Sequence, residues 1–411
     1  MAEAERFLLT NARIVGHDAV IDGGTVVVED GLIAEVSARA YPAAPDVRDL
    51  GGRLLLPGIV DLHNDALEKE ITPRPRAAFE RDFALLHLDR KLAAAGVTTE
   101  FHAVYFANRN DIGRKVEYAG EVASTIAALR GTPHAAIDNQ VLHRLDVRTP
   151  HALEALFAAL PRATVPFVSI NDHVPGQGQF NDLVAYRAYA RSFISGTPTE
   201  EEVDAVIAER MARAAETEAF ARAMLERIAA VGRQHGMILC SHDDDTPERV
   251  DLMGEIGCTI AEFPLTHAAA ARARERGMLI AMGAPNVMQG RSLSNNASAL
   301  DLLAYGLVDI LVADYHASSL LAAVFLIVAR GLADLPTATR LVSATPAGAV
   351  GMRDRGAIAP GLRADLIVVE EHGGLPIVAA TLLRGALSYV GGPFAATLSE
   401  ANRSPLPSLA D

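Results

Sequence analysis

Residues 54–65, Leu-Leu-Leu-Pro-Gly-Ile-Val-Asp-Leu-His-Asn-Asp, lead from an apolar run directly into side chains that bind metal ions. The apolar run over 54–62 predicts a strand buried on both faces. His63 and Asp65 are two residues apart, so both side chains point the same way from extended backbone. Such a pair can bind one cation, although an isolated pair is equally compatible with a hydrogen-bonded histidine at a strand end.

Seven further strand-like runs follow, and amphipathic helical stretches alternate with them. The runs cover 96–104, 135–145, 165–170, 237–240, 259–263, 278–282 and 310–313, and helical periodicity is clear at 83–95, 121–129, 151–159, 218–234, 268–276 and 300–305. Alternation of this kind indicates βα units and a parallel sheet. Eight units predict an α/β protein with a (β/α)8 TIM barrel, whose active site lies at the carboxyl ends of the strands. The long hydrophilic stretch from 181 to about 216 predicts extra helices or a lid.

Both ends of the chain are rich in short strand patterns. The first 48 residues contain alternating runs at 7–9, 12–15, 25–28 and 32–36, with a hairpin turn at Asp30-Gly31. Similar runs return at 366–370, 376–383 and 387–390. We therefore predict a small β-sandwich domain from residues 1–53 and 352–411, which flanks a barrel domain over 54–351.

Composition narrows the class of protein. The 411 residues include 37 Lys and Arg against 51 Asp and Glu, a net charge of −14 that argues against nonspecific nucleic-acid binding. No uncharged apolar run approaches the roughly 20 residues that cross a bilayer, so no membrane partner is expected. The acidic start lacks a signal-peptide pattern, and Cys240 and Cys258 are too few for a disulfide framework. These features predict a cytoplasmic enzyme or binding protein.

Polar side chains follow five of the predicted strands, where a barrel would bring them together. Histidine and carboxylate side chains are the expected ligands of zinc, and they also suit manganese or iron. The candidate metal ligands are His63, Asp65, Asp146, His173, His242 and Asp314.

Three acidic residues at strand ends have further candidate roles. Asp314 is also a candidate catalytic base, because a carboxylate at the end of a buried strand is costly without a cation or donor. Asp243 is a candidate partner that orients His242. Glu262, near the end of the sixth run, could contact substrate or the metal site, and a structural ion pair is an equally good interpretation.

Two loops could bind an anion. Arg74 and Arg76 lie in the proline-stiffened segment 71–76, where guanidinium groups could contact phosphoryl oxygens. The Gly- and Asn-rich segment 283–296 offers backbone N–H groups and Arg291. Ordinary surface loops are the competing interpretation of both segments.

Several motifs in one order resemble the amidohydrolase superfamily. They are Pro57-Gly-Ile-Val-Asp-Leu-His-Asn-Asp65, Leu67-Glu-Lys69, Thr72-Pro-Arg-Pro75, Val168-Ser-Ile-Asn-Asp-His-Val-Pro-Gly176, Ser241-His-Asp-Asp244, Ala261-Glu-Phe-Pro264, Met282-Gly-Ala-Pro-Asn286 and Asp314-Tyr315. Within the superfamily they are most similar to diphosphatases of phosphonate metabolism.

The resemblance implies a metal-dependent hydrolase in which one or two divalent ions activate water and Asp314 accepts its proton. It further implies release of pyrophosphate from a ribose 5-triphosphate phosphonate, a phosphorylated small-molecule substrate. Lys69, Arg74, Arg76 and Arg291 would neutralise phosphoryl charge, while His102 and Glu262 would contact the sugar. We also predict a homo-oligomer.

Two other functions remain open at this point. The same metal site could hydrolyse the C–N bond of an amide, cyclic amide or imine, because attack on carbon needs the same activated water. A catalytically silent barrel that serves as a subunit or ligand-binding protein is the other possibility. Metal content distinguishes the silent barrel from both enzymes.

Overall fold

The computed structural model describes residues 6–42, 44, 46–74, 77–108, 115–172, 187, 191, 198–290, 296–392, 394 and 395. Its strands are β1 (Arg6–Val15), β2 (Val20–Glu29), β3 (Leu32–Ser37), β4 (Val47–Asp49), β5 (Leu54–Pro57), β6 (Ile59–Asn64), β7 (Val97–Phe106), β8 (Asp138–Asp146), β9 (Phe167–Asn171), β10 (Ile238–His242), β11 (Cys258–Glu262), β12 (Leu279–Gly283), β13 (Ile310–Val312), β14 (Leu366–His372), β15 (Leu375–Leu383) and β16 (Ala386–Val390). They form two separate sheets.

Strands β6 to β13 form an eight-stranded sheet in chain order, and each neighbouring pair is parallel. Backbone hydrogen bonds also join its two ends: Asp314 N–H donates to the His63 carbonyl at 2.8 Å, and Asp65 N–H donates to the Asp314 carbonyl at 2.6 Å. The predicted TIM barrel is therefore confirmed. These closing bonds lie at the carboxyl ends of the strands, where the site is expected.

The segment predicted as one first strand over 54–62 is two strands in different sheets. β5 pairs with β1 and β14 of the terminal sheet, whereas β6 belongs to the barrel. The chain crosses between the sheets at Pro57 and Gly58. A Cβ atom on Gly58 would lie 2.3 Å from the Thr98 hydroxyl oxygen, so this crossing requires glycine.

The remaining strands form the terminal sheet. Its order is β16-β15-β14-β5-β1-β2-β3, with β4 paired to β1. Side chains from both ends of the chain share one buried core, which includes Phe7, Val26, Leu55, Val368 and Phe394. The prediction that both termini build a separate β unit is confirmed. The residue boundaries of the two domains stay a prediction.

Helices cover the outside of the barrel. They are Ala66–Ile71, Arg81–Ala94, Glu117–Leu129, Ala152–Ala159, Glu200–Glu216, Glu218–His235, Pro247–Ile256, His267–Glu275, Ala284–Gln289, Ala299–Ala304, Ser319–Ala329, Leu335–Arg340 and Ala344–Ala349. Their apolar faces and the outer faces of the strands form the main core. Within the described part of the chain, none of these helices combines the length and apolar character needed to span a bilayer.

Part of the long hydrophilic stretch is helical, as predicted. The helix Glu200–Glu216 begins with a capping box, in which the Thr199 side chain accepts from the Glu202 N–H and the Glu202 carboxylate accepts from the Thr199 N–H. Most of the chain between residues 173 and 197 lies outside the described residues.

Candidate active site

A cavity of about 260 Å³ opens at the carboxyl ends of the barrel strands. Its lining comprises His63, Asp65, Arg144, His242, Asp243, Phe263, Pro264, Leu265, Met282, Gly283, Pro285, Asn286, Gln289, Asn296, Ala297, Asp314 and Tyr315. The carboxylates of Asp65, Asp243 and Asp314 converge there with the imidazoles of His63 and His242. The cavity therefore holds the chemistry that the strand-end pattern predicted, at the end of the barrel where TIM-barrel enzymes carry their active sites.

One buried carboxylate holds both histidines. Glu262 accepts a hydrogen bond from His63 Nδ1 at 2.7 Å and another from His242 Nδ1 at 2.8 Å, and its side chain is only 2% exposed. The two imidazoles stack with their centroids 5.6 Å apart. Burial alone would raise the pKa of Glu262, but the His63 charge and the bonds from both rings lower it. Glu262 thus fixes both rings through Nδ1 and leaves each Nε2 for other partners.

Asp65 is paired with an arginine. Arg144, near the end of β8, donates from Nη1 to both Asp65 carboxylate oxygens at 2.8 and 3.1 Å. Burial would raise the pKa of Asp65, but the Arg144 charge and the nearby His63 lower it. Asp65 is therefore ionised at neutral pH.

Arg144 also defines the tautomer of His242. Its Nη2 lies 3.2 Å from His242 Nε2, and a guanidinium can only donate. The Nε2 atom must therefore accept, and the proton of the neutral ring sits on Nδ1, where it is donated to Glu262. Burial lowers the pKa of His242, in agreement with a neutral ring.

Asp314 completes the group. Its side chain is partly buried just after β13, and its ligand oxygen, one from Asp65 and a nitrogen of His63 lie within 4.8 Å of one another. Burial raises the pKa of Asp314 to about 6, although the His63 charge opposes this shift. Asp314, Asp243 and Phe263 all have positive φ near +55° and lie one or two residues after the end of a barrel strand. This uncommon conformation turns the chain sharply at the cavity.

Comparisons with known proteins identify the family. The chain is 36% identical to alpha-D-ribose 1-methylphosphonate 5-triphosphate diphosphatase from Escherichia coli, over 88% of this chain and 94% of that enzyme. It is 25% identical to imidazolonepropionase from Deinococcus deserti, over 85% of this chain and 86% of that enzyme. The structure of N-acetyl-D-glucosamine-6-phosphate deacetylase from Mycobacterium smegmatis has a TM-score of 0.60 at 17% identity, over 93% of this chain and 99% of that one. No family model matches the chain.

The chain belongs to the amidohydrolase superfamily. It is a hydrolase, and the enzymes of this superfamily depend on metal ions.

The donor set of this amidohydrolase fits a divalent ion. His63 Nε2 lies 3.5 Å from Asp65 Oδ1, and Asp314 is near both. Burial alone would lower the pKa of His63, but the charges of Glu262 and Asp65 raise it to about 10, so these surroundings favour positive charge. A carboxylate on Nδ1 is also the usual support of a metal-binding imidazole. His63, Asp65 and Asp314 could therefore hold one ion such as zinc, manganese or iron.

One described candidate ligand, Asp146, is placed differently from His63, Asp65, His242 and Asp314. Asp146 accepts from the Arg148 N–H at 2.8 Å and from the Tyr105 hydroxyl at 3.3 Å, and it does not line the cavity. Asp146 is not part of the group formed by His63, Asp65 and Asp314, and its role as a metal ligand stays a prediction. His173 lies outside the described residues.

Glu262 and His102, the two predicted contacts to the sugar, do not line the cavity, and their contact with substrate stays a prediction. Glu262 lies behind the imidazoles, away from the cavity lining. It is Glu262 that bonds Nδ1 of His242, whereas Asp243, the predicted orienting partner, approaches Nε2 of the same ring at 3.5 Å. His102 is fully buried, hydrogen-bonds Asn139 Oδ1 at 2.7 Å, and has a pKa lowered to about 4 by burial. His102 therefore contacts Asn139 rather than the cavity, whereas Glu262, with His63 and His242, forms a second group of side chains close enough to hold a metal ion.

The two predicted cations that the structure describes, Lys69 and Arg74, lie outside the cavity lining. The Lys69 amino nitrogen lies 5.2 Å from the ring centroid of Tyr315, a cavity-lining residue, so it is near the rim. Arg74 is exposed and outside the lining. Arg76 and Arg291 lie outside the described residues.

Arg144 and its second partner Asn171 were missed by the sequence analysis. Arg144 is a charged residue between His143 and Leu145 in a largely buried parallel strand, two positions before Asp146. That pattern was a usable signal, because a buried charge requires a partner.

Proposed function

We propose that this amidohydrolase is a metal-dependent hydrolase that binds one divalent ion through His63, Asp65 and Asp314. The convergence of these three side chains, with Glu262 fixing the His63 ring, is the observation that carries the proposal. When bound, a divalent ion would lower the pKa of a coordinated water and make hydroxide available near neutral pH.

The protein's own groups account for the remaining steps. Asp314 accepts the proton of the attacking water, since its carboxylate lies beside His63 and faces the cavity. Glu262 keeps the His63 proton on Nδ1, so that Nε2 stays available as a ligand. Asp65 is held in place by the two hydrogen bonds from Arg144. Together they position the nucleophile and take up its proton.

For the substrate, we propose a ribose 5-triphosphate phosphonate, with pyrophosphate as the leaving group. The support is the identity of 36% with the E. coli diphosphatase over nearly the whole length of both chains. Lys69 is the described cation best placed to meet phosphoryl oxygens, because it stands beside Tyr315 at the rim. Arg74, Arg76 and Arg291 stay candidates for the same role.

One observation favours hydrolysis of a C–N bond instead. Of the cavity-lining residues that the structure describes, Arg144 is the only permanent cation, and its hydrogen bonds go to protein acceptors. An anionic substrate would then depend on rim residues. Imidazolonepropionase, a C–N hydrolase by name, is also among the relatives.

Turnover assays distinguish the diphosphatase from the C–N hydrolase. We would follow pyrophosphate release from ribose 5-triphosphate compounds with zinc- or manganese-loaded protein, beside Asp314→Asn and the exposed-site control Asp301→Asn. The diphosphatase proposal predicts release that is lost in Asp314→Asn and kept in Asp301→Asn. No release from metal-loaded protein, together with turnover of cyclic amides or imines, would contradict it in favour of C–N hydrolysis.

Two broader assignments also stay proposals. We place the protein in the cytoplasm as a homo-oligomer acting on a small molecule. The location is supported by two buried free cysteines, which suit a reducing compartment.

A further inference from the structure

Arg144 lies inside the active site, and its side chain is only 12% exposed. Its guanidinium makes five hydrogen bonds: two from Nη1 to Asp65, one from Nη2 to His242 Nε2, and one each from Nε and Nη2 to Asn171 Oδ1. A guanidinium has five N–H donors. The two contacts to Asp65 share one Nη1–H, because the two oxygens of one carboxylate lie too close together to meet both hydrogens of that nitrogen, so four of the five donors are directed to protein acceptors.

The acceptors around Arg144 are of the types that bind metal ions. Asp65 supplies a carboxylate, and His242 supplies an imidazole whose Nε2 accepts and whose Nδ1 is supported by Glu262. Asp243 Oδ2 lies 3.5 Å from the same Nε2 atom and also lines the cavity. A histidine with a carboxylate behind it and two further carboxylates would suit a divalent ion. The guanidinium lies among these groups.

We propose that Arg144 takes the place of a second metal ion. On this proposal, which rests on the proposed metal-dependent function, the protein binds one ion at His63, Asp65 and Asp314, and the guanidinium supplies a fixed charge between Asp65 and His242. Arg144 remains protonated at any physiological pH. It therefore excludes a second cation from the His242 side by charge repulsion and by occupying its ligands.

Metal counting tests the proposal without any substrate. The protein is stripped with a chelator, reloaded with excess Zn²⁺, dialysed, and measured by inductively coupled plasma mass spectrometry. The comparison includes Arg144→Met, which removes the charge, and Arg144→Lys, which keeps a charge. We expect one ion per chain in the wild type and in Arg144→Lys, and two in Arg144→Met. Loading with Mn²⁺ gives an independent readout, since an isolated ion and an exchange-coupled pair differ in electron paramagnetic resonance.

The outcomes are distinct. Two ions in the wild type, or an exchange-coupled manganese spectrum from it, would overturn the role of Arg144 while leaving metal-dependent hydrolysis intact. One ion in folded Arg144→Met would also overturn it, because Arg144 would then not limit the count. No bound ion in the wild type would overturn the proposed function as well. If Arg144→Met fails to fold, the manganese spectra of the wild type and Arg144→Lys decide.

Discussion

At the scale of single residues, Glu262 determines how the two histidines can act. Both Nδ1 atoms donate to it, so Nε2 is the nitrogen that His63 presents to Asp65 and that His242 presents to Arg144. A carboxylate can accept from both rings, whereas an amide has only one acceptor atom. The site therefore needs glutamate here, for reasons of hydrogen-bond direction as well as charge.

We expect Glu262→Gln to weaken metal binding by about 10- to 100-fold, the usual range for the loss of such a supporting carboxylate. The amide NH₂ would donate to one Nδ1, which moves the proton of that ring to Nε2, and the negative charge beside both rings would be lost. Affinity can be measured by competition with a chelator, and ¹⁵N NMR of the histidine rings reports the tautomers. The exposed Glu255→Gln is the matched control. Equal affinity and unchanged tautomers in Glu262→Gln would contradict this role.

The sequence predicted part of this site for a clear reason. His63, Asp65, His242 and Asp314 follow barrel strands, and the topology alone brings such positions to one cavity. The role of Glu262 and the presence of Arg144 depend on which side chains meet across the barrel. Those contacts depend on strand tilt and rotamers, which hydrophobic periodicity does not report. For the same reason His102 was expected at a ligand and instead bonds Asn139.

At the scale of elements, the crossing at Gly58 delivers His63 and Asp65 to the site. β5 ends at Pro57 in the terminal sheet, and β6 begins at Ile59 in the barrel, so only Gly58 lies between them. Apolar periodicity predicted a single strand, because both strands are fully buried and nothing in the pattern marks a change of pairing partner. The other seven barrel strands were located to within a few residues, since polar turns bound each of them.

We expect Gly58→Ala to destabilise the protein by about 1–3 kcal/mol, the typical cost of overpacking. The new Cβ would approach the hydroxyl oxygen, Cγ2 and Cβ of Thr98 at 2.3, 2.4 and 2.8 Å, and a β-branched side chain at a buried strand position has little freedom to move. Urea unfolding measures the change. Gly120→Ala is the matched control, because its Cβ would meet nothing within 4 Å on a helix where alanine is favoured. A stability equal to that of the wild type would contradict this account.

The acidic segment before the helix Pro247–Ile256 contains a buried side chain, Asp244, although its composition does not indicate burial. Pro247–Ile256 buries Val250, Met253 and Ile256 at helical spacing, and Thr246 caps it by accepting from the Arg249 N–H. An acidic run such as Asp243–Asp245, just before the helix cap, is typical of a solvated turn. In the structure Asp244 is buried and bonded to Ser241, so the acidic run belongs to the packed end of the barrel.

At the scale of the whole molecule, a buried ion-pair network joins the barrel to the segment that leads into the terminal sheet. Asp138, at the start of β8, contacts Arg355 at 2.6 Å and Arg363 at 3.2 Å. Arg363 also pairs with Asp365 at 3.0 Å, directly before β14. Both arginines are almost fully buried, so removal of Asp138 would leave part of their charge uncompensated.

We expect Asp138→Asn to cost about 3 kcal/mol in the free energy of unfolding at pH 7. Burial would raise the pKa of Asp138, but Arg355 and Arg363 lower it below the usual 3.8. A carboxyl group with a lowered pKa in the folded state stabilises above its unfolded pKa, and this contribution is lost as pH falls through the folded pKa. The difference between wild type and variant should therefore be constant above about pH 5 and shrink below about pH 4. Urea unfolding across this range measures it, and a difference independent of pH would contradict the ion-pair account.

The central claim is that Asp314, together with His63 and Asp65, holds a catalytic metal ion. The most direct test is the dissociation constant of Zn²⁺ from the wild type, Asp314→Asn and Asp146→Asn, measured by competition with a chelator. Asparagine tolerates the positive φ at position 314, so the backbone should be kept. We predict a loss of affinity of about tenfold or more in Asp314→Asn and less than about twofold in Asp146→Asn. No stoichiometric binding by the wild type, or an equal loss in both variants, would contradict the claim.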